Sequence, residues 1–596
     1  MRRSALFTTA RIGDLVSRNR IAMPAIHLGL AKEGRPTPAA IRFYEERARG
    51  GAGVITVGVC DSYGDPSTKL AASLGLWDND QISPMSELSS AINEHGALAG
   101  VQLVPVKGYN EPTFLPQPKE LTAMIESLGQ AAERARSAGF DFVELMLSGG
   151  SVLSHFLSPA LSEQQVSGYA GGWDERLRAP LEAVSAMIEA VGDDMPVLVR
   201  IHGHEFLDEG YGIEGARIVV PALERAGVSA FNVTGGGHRT TLPQITHQTP
   251  PLAFAHLARL VRVITDRPVL FGGRLRTLDE AEACLAGSGA DFVNLGRALI
   301  ADPEWPNKAL AGLEDTIVPC MACGGCFDQA MSKRSIICSL NPEVGFTGTD
   351  VSPVAAADER RKVLVAGAGP AGLQAAWTLS RLGHEVVVRE REPVPGGRWR
   401  LASRLHGRED LSGALAAFVA RLTRAGVPIE TGVEVTPESV AEHGADVLIL
   451  AVGAPARWPD IPGLSSHKNV LKAEQVIERA GDIGNEVVII GAGGAGVELG
   501  IHLAGQGEPS LAALGFLARY GKRGWLEEAL EARSGREVTV IRRRGYAGRG
   551  MGRSVRWTMM RDVERLGVRV IDRCEYEKVT PEGVHIKNGR TGEQEL

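Results

Sequence analysis

No apolar run in this chain approaches the length that a bilayer requires, so no spanning helix is expected. The start, MRRSALFTTARIGD, has two arginines but only a short apolar stretch broken by threonine, which is not the core of a targeting peptide. A cytoplasmic protein is therefore expected. Positive charge is also not in excess: the formal net charge is -7, whereas a nucleic-acid partner calls for a broad basic surface. The nearest feature is Arg542, Arg543 and Arg544, a strand-end trio that suits one phosphate better than a backbone of them. Neither a membrane nor a nucleic acid is an expected partner. Cysteine is scarce, at 7 in 596 residues, which cannot be a disulfide framework, and the crowding of four into one stretch suits a reducing compartment.

That stretch reads VPCMACGGCFDQAMSKRSIICSLNP and spaces Cys320, Cys323, Cys326 and Cys338 as C-x2-C-x2-C-x11-C. Thiolates so placed call for a soft cation. Structural zinc sites usually use two separated pairs, whereas three close cysteines and a distant fourth is an arrangement that wraps an iron–sulfur cubane. A 4Fe-4S cluster is the first expectation; zinc and a set of buried thiols are the alternatives.

A chain of this length is expected to form two or three domains. Before the cysteines, eight short apolar runs alternate with amphipathic stretches: RIAMPAI, GVITVGV, ALAGVQLV, DFVELML, VLVRIH, AFNVTGG, PVLFGG and DFVNLGR. Helical segments are expected at 38–49, 128–138, 176–191 and 278–286. Eight strand-then-helix units predict an α/β fold, a (β/α)8 barrel whose site lies at the carboxyl ends of its strands. Gly272-Gly273 and Gly296-Arg297 follow the last two runs and offer bare amides and a cation to a phosphate. Gln102 and Arg200 end the third and fifth, where an amide and a guanidinium could meet the polar edge of a flavin. The bland alternatives are simple turns and a buried ion pair.

The segments SRNRIAMPAI, YEERARGGAGVI, FDFVELMLSGGSVLSHFLSP and GGRLRTLDEAEACLAGSGADFVNLGRALIADPEWPNKA, followed by the cysteines, resemble the old yellow enzyme superfamily. The likeness is to its long iron–sulfur branch, which includes 2,4-dienoyl-CoA reductases and trimethylamine dehydrogenases. That resemblance implies FMN in the barrel, with Pro24, Ala25, Gly58, Gln102 and Arg200 at the ring and Gly273, Gly296 and Arg297 at the phosphate. The reductases carry a proton-donating tyrosine after the fourth strand; here the matching residue is Ser151, a poor acid. The family's partner histidine matches His238 in TGGGHRTTLP. After Gln102 the chain reads VPVKGYN, so Lys107 and Tyr109 are expected at the mouth, with Tyr109 as the substitute donor. His155 and Tyr44 fit helical packing patterns.

Residues 346–360 read as a polar linker between the cysteine loop, 318–345, and a second half. In KVLVAGAGPAGLQAAWTLSRLGHEVVVRERE, Gly367, Gly369 and Gly372 follow a strand and open a helix, and Glu390 ends the next strand. The glycines allow a tight turn and close approach of a pyrophosphate, and the acid suits ribose hydroxyls. Gly397 and Arg398 with the strand DVLILAVGAPARWPDIPG resemble the FAD pattern of flavoproteins with two dinucleotide domains. A second fingerprint, NEVVIIGAGGAGVELGIHLA, places Gly491, Gly493 and Gly496 alike. Its acid is replaced by Arg542 and Arg543, which favours NADPH over NADH. The expected domains are 1–317 (barrel), 361–484 (FAD) and 485–596 (NAD(P)). The family completes its FAD domain with a returning strand; the present sequence ends at TGEQEL, so truncation or a different closure is expected.

Together these readings imply a reductase of an activated C=C bond, with electrons passing from NADPH through FAD and 4Fe-4S to FMN. The alternatives are a methylamine oxidase or demethylase and a non-turnover electron-transfer flavoprotein. A small-molecule substrate is expected, and a homo-oligomer or an external electron carrier is left open.

Overall fold

The computed structural model describes residues 4–66, 72–109, 111, 114, 116–162, 166, 168–237, 240, 242, 245–332, 334–345, 357, 359–479, 483–509, 511–521, 523–531 and 534–596. Two compact units divide the chain, Met1–Ser352 and Pro353–Leu596. Most of the expected linker, 346–360, lies outside the described residues.

The eight apolar runs of the first unit form strands β1 (Ile21–Met23), β2 (Val54–Asp61), β3 (Leu98–Val104), β4 (Phe142–Leu147), β5 (Val197–His204), β6 (Ala230–Gly235), β7 (Val269–Phe271) and β8 (Phe292–Asn294). Each pairs in parallel with its neighbour in sequence, and β8 closes on β1, so the sheet is a barrel. A parallel strand covered on both faces has no solvent side and reads as a continuous apolar run; β2 is buried at all eight positions.

Helices α1 (Pro38–Arg49), α2 (Ile82–Asn93), α3 (Pro118–Ser137), α4 (Trp173–Val191), α5 (Ile213–Arg225), α6 (Ala255–Ile264), α7 (Leu278–Ser288) and α8 (Gly296–Ala301) follow the strands in turn. Their starts are encoded locally. Thr37 accepts from the Ala40 amide and Pro38 takes the first turn of α1, while Thr277 and Glu280 form a capping box on α7. The segment expected at 128–138 is only the second half of α3. Pro118 and the reciprocal Gln117–Glu120 cap start that helix ten residues earlier.

The barrel interior is layered. A hairpin of Ala10–Ile12 with Leu15–Ser17 stops the amino end, where Ala10 and Ile12 pack with Ala22, Val54, Phe142, Leu198, Ala230, Leu270 and Phe292. Gly100 makes room for the Phe142 ring, since a Cβ there would lie 2.1 Å from it. Burying such a ring is worth roughly 2–3 kcal/mol. Side chains two residues further along a strand face the same way, so Glu144, Arg200, Asn232 and Asn294 stand one layer above this apolar floor, toward the carboxyl ends.

In the second unit, β9 (Lys362–Ala366), β10 (Glu385–Glu390), β11 (Ile429–Thr431) and β12 (Val447–Leu450) form a parallel sheet in the order β11-β10-β9-β12. A second parallel sheet holds β13 (Glu486–Ile490), β14 (Glu537–Ile541) and β15 (Arg569–Ile571), followed by an antiparallel sheet of three short strands between Cys574 and Glu595. Helix α9 (Pro370–Arg381) follows β9, and α10 (Gly494–Ala504) follows β13. No described helix is long and apolar enough to cross a membrane.

Candidate active site and cofactor sites

The layer above the barrel floor is a buried polar network. Gln102 Nε2 donates to Glu144 Oε1 at 2.7 Å, Asn232 Nδ2 donates to Glu144 Oε2 at 2.8 Å, and Asn294 Nδ2 donates to Asn232 Oδ1 at 2.9 Å. Gln102 and Asn232 are 1% exposed and Glu144 is 0% exposed. Burial pushes the Glu144 carboxyl above its ordinary range, and the Arg200 charge, the strongest opposing influence, holds it down together with the two amides. Sequence reading singled out Gln102 and Arg200 but missed Glu144, Asn232 and Asn294. The available signal was a carboxylate and two amides inside otherwise apolar strands.

Above this network the residues expected at a flavin ring converge. A Cβ on Gly58 would lie 3.1 Å from Gln102 Cβ and 3.3 Å from Ala25 Cβ, and one on Gly296 would lie 3.4 Å from Pro24 Cγ. Gly58 has φ +156°, and its amide donates to the buried Tyr44 hydroxyl at 3.3 Å. Toward the expected phosphate end, a Cβ on Gly273 would meet nothing nearer than the Phe271 ring at 3.4 Å. Arg297 donates to the Ile245 carbonyl and Arg274 to that of Thr249. Between these carbonyls the buried Thr246 and Thr249 hydroxyls find no partner among the described residues. Open amides, two guanidiniums and unsatisfied hydroxyls are a donor set that fits a phosphate.

The candidate donors fare differently. Tyr109 packs against Val59, Val104, Val106 and Met146. Its partners Val104 and Met146 stand at the carboxyl ends of β3 and β4, and burial pushes its phenol up to about 12 against the pull of the Arg200 charge. Ser151, at the position that the resemblance gives to a tyrosine, caps a helix. It is 0% exposed, donates to the Met146 carbonyl at 2.7 Å and accepts from the Ser154 amide, capping the helix Val152–Leu157. His155 is buried within that helix. Lys107 is held between Asp65 and Glu120, at 2.8 and 2.5 Å. His238 lies outside the described residues. The sequence reading also passed over His202, two residues after Arg200 on β5. Its Nε2 accepts from the Gly149 amide at 3.1 Å, and its ring lies beside Gly237.

In the cysteine loop, Ala322 (φ +50°) and Gly324 (φ +75°) coil the backbone between the thiols. The Ala322 amide donates to Cys320 Sγ and the Leu340 amide to Cys338 Sγ, each at 3.4 Å. Burial pushes the Cys326 thiol up to about 11 and that of Cys338 up to about 12, and both also feel Cys320 and Cys323. Among the described residues, no set of three or more His, Cys, Asp or Glu side chains is arranged to hold a metal ion. Thiols that feel one another's charge, two of them with an amide N–H on sulfur, are nonetheless the donor chemistry that an iron–sulfur cluster takes.

Each glycine turn of the second unit has its first glycine at positive φ, Gly367 at +102° and Gly491 at +112°. In each, the third glycine packs where no side chain fits: a Cβ on Gly372 would lie 1.9 Å from the Gly367 oxygen, and one on Gly496 1.8 Å from that of Gly491. The middle glycines, Gly369 and Gly493, face open space, as a pyrophosphate cradle requires. Gly397 approaches Gly369, with an added Cβ 3.4 Å from its Cα, and Arg398 pairs with Glu474 at 3.1 Å. Glu390 Oε2 accepts from the Ala368 amide at 2.8 Å. Arg542 Nη1 donates to the Ala492 carbonyl at 2.8 Å, while Arg543 and Arg544 are exposed.

Residues 5–120 and 115–316 match the NADH:flavin oxidoreductase / NADH oxidase family, and residues 361–596 match the pyridine nucleotide-disulphide oxidoreductase family. The chain is 35% identical over 619 residues to a metal reductase of Desulforamulus reducens, covering 99% of this chain and 91% of that protein. It is 33% identical over 596 residues to an NADH oxidase of Thermoanaerobacter brockii, covering 91% and 89%. A solved 2-naphthoyl-CoA reductase in complex with 2-naphthoyl-CoA shares the fold, with TM-score 0.89, 23% identity and coverage of 99% and 91%.

Proposed function

The chain belongs to the NADH:flavin oxidoreductase / NADH oxidase family, in its old-yellow-enzyme-like iron–sulfur flavoprotein branch, and on that footing we propose that it uses NADPH to add hydride and a proton across an activated C=C bond. Membership makes it an NAD(P)H-dependent flavin oxidoreductase with FMN and FAD. The finer reading comprises the C=C substrate, the preference for NADPH, and a 4Fe-4S cluster on Cys320, Cys323, Cys326 and Cys338. When bound, NADPH, FAD, the cluster and FMN supply hydride uptake, one-electron relay and hydride delivery.

The observation that carries this reading is Tyr109, packed against Val59, Val104, Val106 and Met146 with its phenol in reach of the Arg200 charge. With its phenol pushed up to about 12 by burial, Tyr109 holds its proton throughout the neutral range and can give it to the carbon next to the one that receives hydride. Reduction of a C=C bond consumes such a proton, whereas oxidation of an amine does not. Ser151, committed to the Met146 carbonyl, is the weaker candidate for that task. Arg200 and Gln102 would hold the ring's polar edge, and Gly273, Gly296 and Arg297 its phosphate. Arg543 and Arg544, exposed after β14, would receive a 2'-phosphate.

The test is anaerobic titration of the cofactor-loaded protein with NADPH, followed by absorbance, and then a panel of enoyl-CoA esters, cyclic enones and methylated amines. NADPH should bleach the flavins, and an enone or enoyl-CoA should restore their colour. Tyr109→Phe should slow that reoxidation by about 100-fold or more and leave bleaching by NADPH unchanged. Bleaching by a methylated amine without NADPH would overturn the reading in favour of an amine dehydrogenase.

A further inference from the structure

We propose that Glu144 is a positioning residue that fixes which end of the Gln102 amide faces the barrel mouth, so that the mouth offers a flavin an acceptor beside the Arg200 cation. The inference rests on the reading that FMN occupies the barrel. It comes from the direction of each hydrogen bond in the buried layer. Glu144 accepts twice, from the Gln102 amide nitrogen on one oxygen and from that of Asn232 on the other, and an amide presents its NH2 and its carbonyl at opposite ends. Gln102 must therefore turn its NH2 inward and its carbonyl oxygen outward. The N3–H of an isoalloxazine is a donor, so this is the end of the amide that its pyrimidine edge requires.

The network also determines what fails when the charge is removed. Asn232 is held at both ends, its amide nitrogen on Glu144 and its carbonyl on Asn294. Among the described residues, Gln102 has only the Glu144 bond holding its nitrogen. A glutamine at 144 has one oxygen to accept with and one NH2 that must donate. It cannot serve Gln102 and Asn232 together, and Gln102 is the partner free to turn over. Its NH2 would then face the mouth, donor against donor. A second change should reverse this. With Asn232→Asp added to Glu144→Gln, the new carboxylate accepts from Asn294 and from the NH2 of the introduced glutamine, whose oxygen is left for Gln102. The negative charge moves from one neighbour of β5 to the other, from β4 to β6, where position 232 is the register partner of Arg200.

The test uses the full-length chain stripped of flavin and titrated with FMN and with N3-methyl-FMN, read by quenching of flavin fluorescence. Wild type should bind the methylated flavin about tenfold or more weakly, the worth of one buried hydrogen bond. Glu144→Gln should bind FMN about tenfold more weakly and lose most of its preference over the methylated form. Glu144→Gln with Asn232→Asp should regain that preference, which a merely structural role for Glu144 would not produce. An unchanged preference in Glu144→Gln, or no recovery in the double variant, would overturn the proposal. Should the single variant fail to fold, the double variant alone decides by keeping or losing the preference. A wild-type chain that takes up no FMN in the barrel would instead sink the reading beneath it.

Discussion

The two glycine turns of the second unit share one backbone and differ in the sign of the charge that holds it. In the first, the peptide between Gly367 and Gly369 is held at its N–H, by the Glu390 carboxylate on Ala368. In the second, the peptide between Gly491 and Gly493 is held at its C=O, by the Arg542 guanidinium on Ala492. The glycines determine the path of the chain, through a positive φ at the first and a helix that packs with no room for a Cβ at the third. The holder then determines the charge left where a ribose arrives. A carboxylate favours free hydroxyls, and a guanidinium with Arg543 and Arg544 behind it favours a phosphate.

The strongest way to break this comparison is to damage the part the turns have in common. Gly372→Ala and Gly496→Ala should each force the helix off its strand, at a cost of about 2–3 kcal/mol. Thermal unfolding and bound FAD should show both effects, with FAD loss greater for Gly372→Ala. Gly369→Ala is the contrast, because its Cβ enters open space; it should melt with wild type yet hold FAD poorly. A smaller effect should follow from exchanging only the sign. Arg543→Ser with Arg544→Ser should raise the KM for NADPH about tenfold, the scale of a charge-assisted contact, and leave that for NADH nearly unchanged. The smallest effect is salt. Exposed guanidiniums are screened at about 8–10 Å near physiological ionic strength, so the preference for 2',5'-ADP over ADP should shrink as salt rises, while retention of FAD should not follow it.

The sequence carried the barrel because every one of its strands is buried on both faces, and such strands announce themselves as apolar runs bounded by turns. It carried the glycine turns because their spacing is local. The layer that organises the barrel's site was harder to see for a physical reason. Glu144 meets Gln102 across 42 residues and Asn232 across 88, and Asn294 meets Asn232 across 62. Each polar residue looks like a flaw in its own strand and becomes intelligible only when the barrel closes. Ser151 shows the converse. Its alignment with a family tyrosine drew attention to its weakness as an acid, while the local signal, a serine followed three residues later by an amide in need of an acceptor, is that of the helix cap it forms. Arg542 was read as a phosphate ligand from its strand-end position; its hold on Ala492 depends on a turn 50 residues earlier in the chain.

The hairpin that carries Ala10 and Ile12 gives the barrel a single doorway. A tube open at both ends would let one molecule enter while another left. With its amino end stoppered by that apolar layer, the barrel is a blind alley, and a spent ligand must back out before the next can come in. Visits to the mouth are thereby put into single file, and the side chains that impose this are the ones that hold the strands of the barrel together.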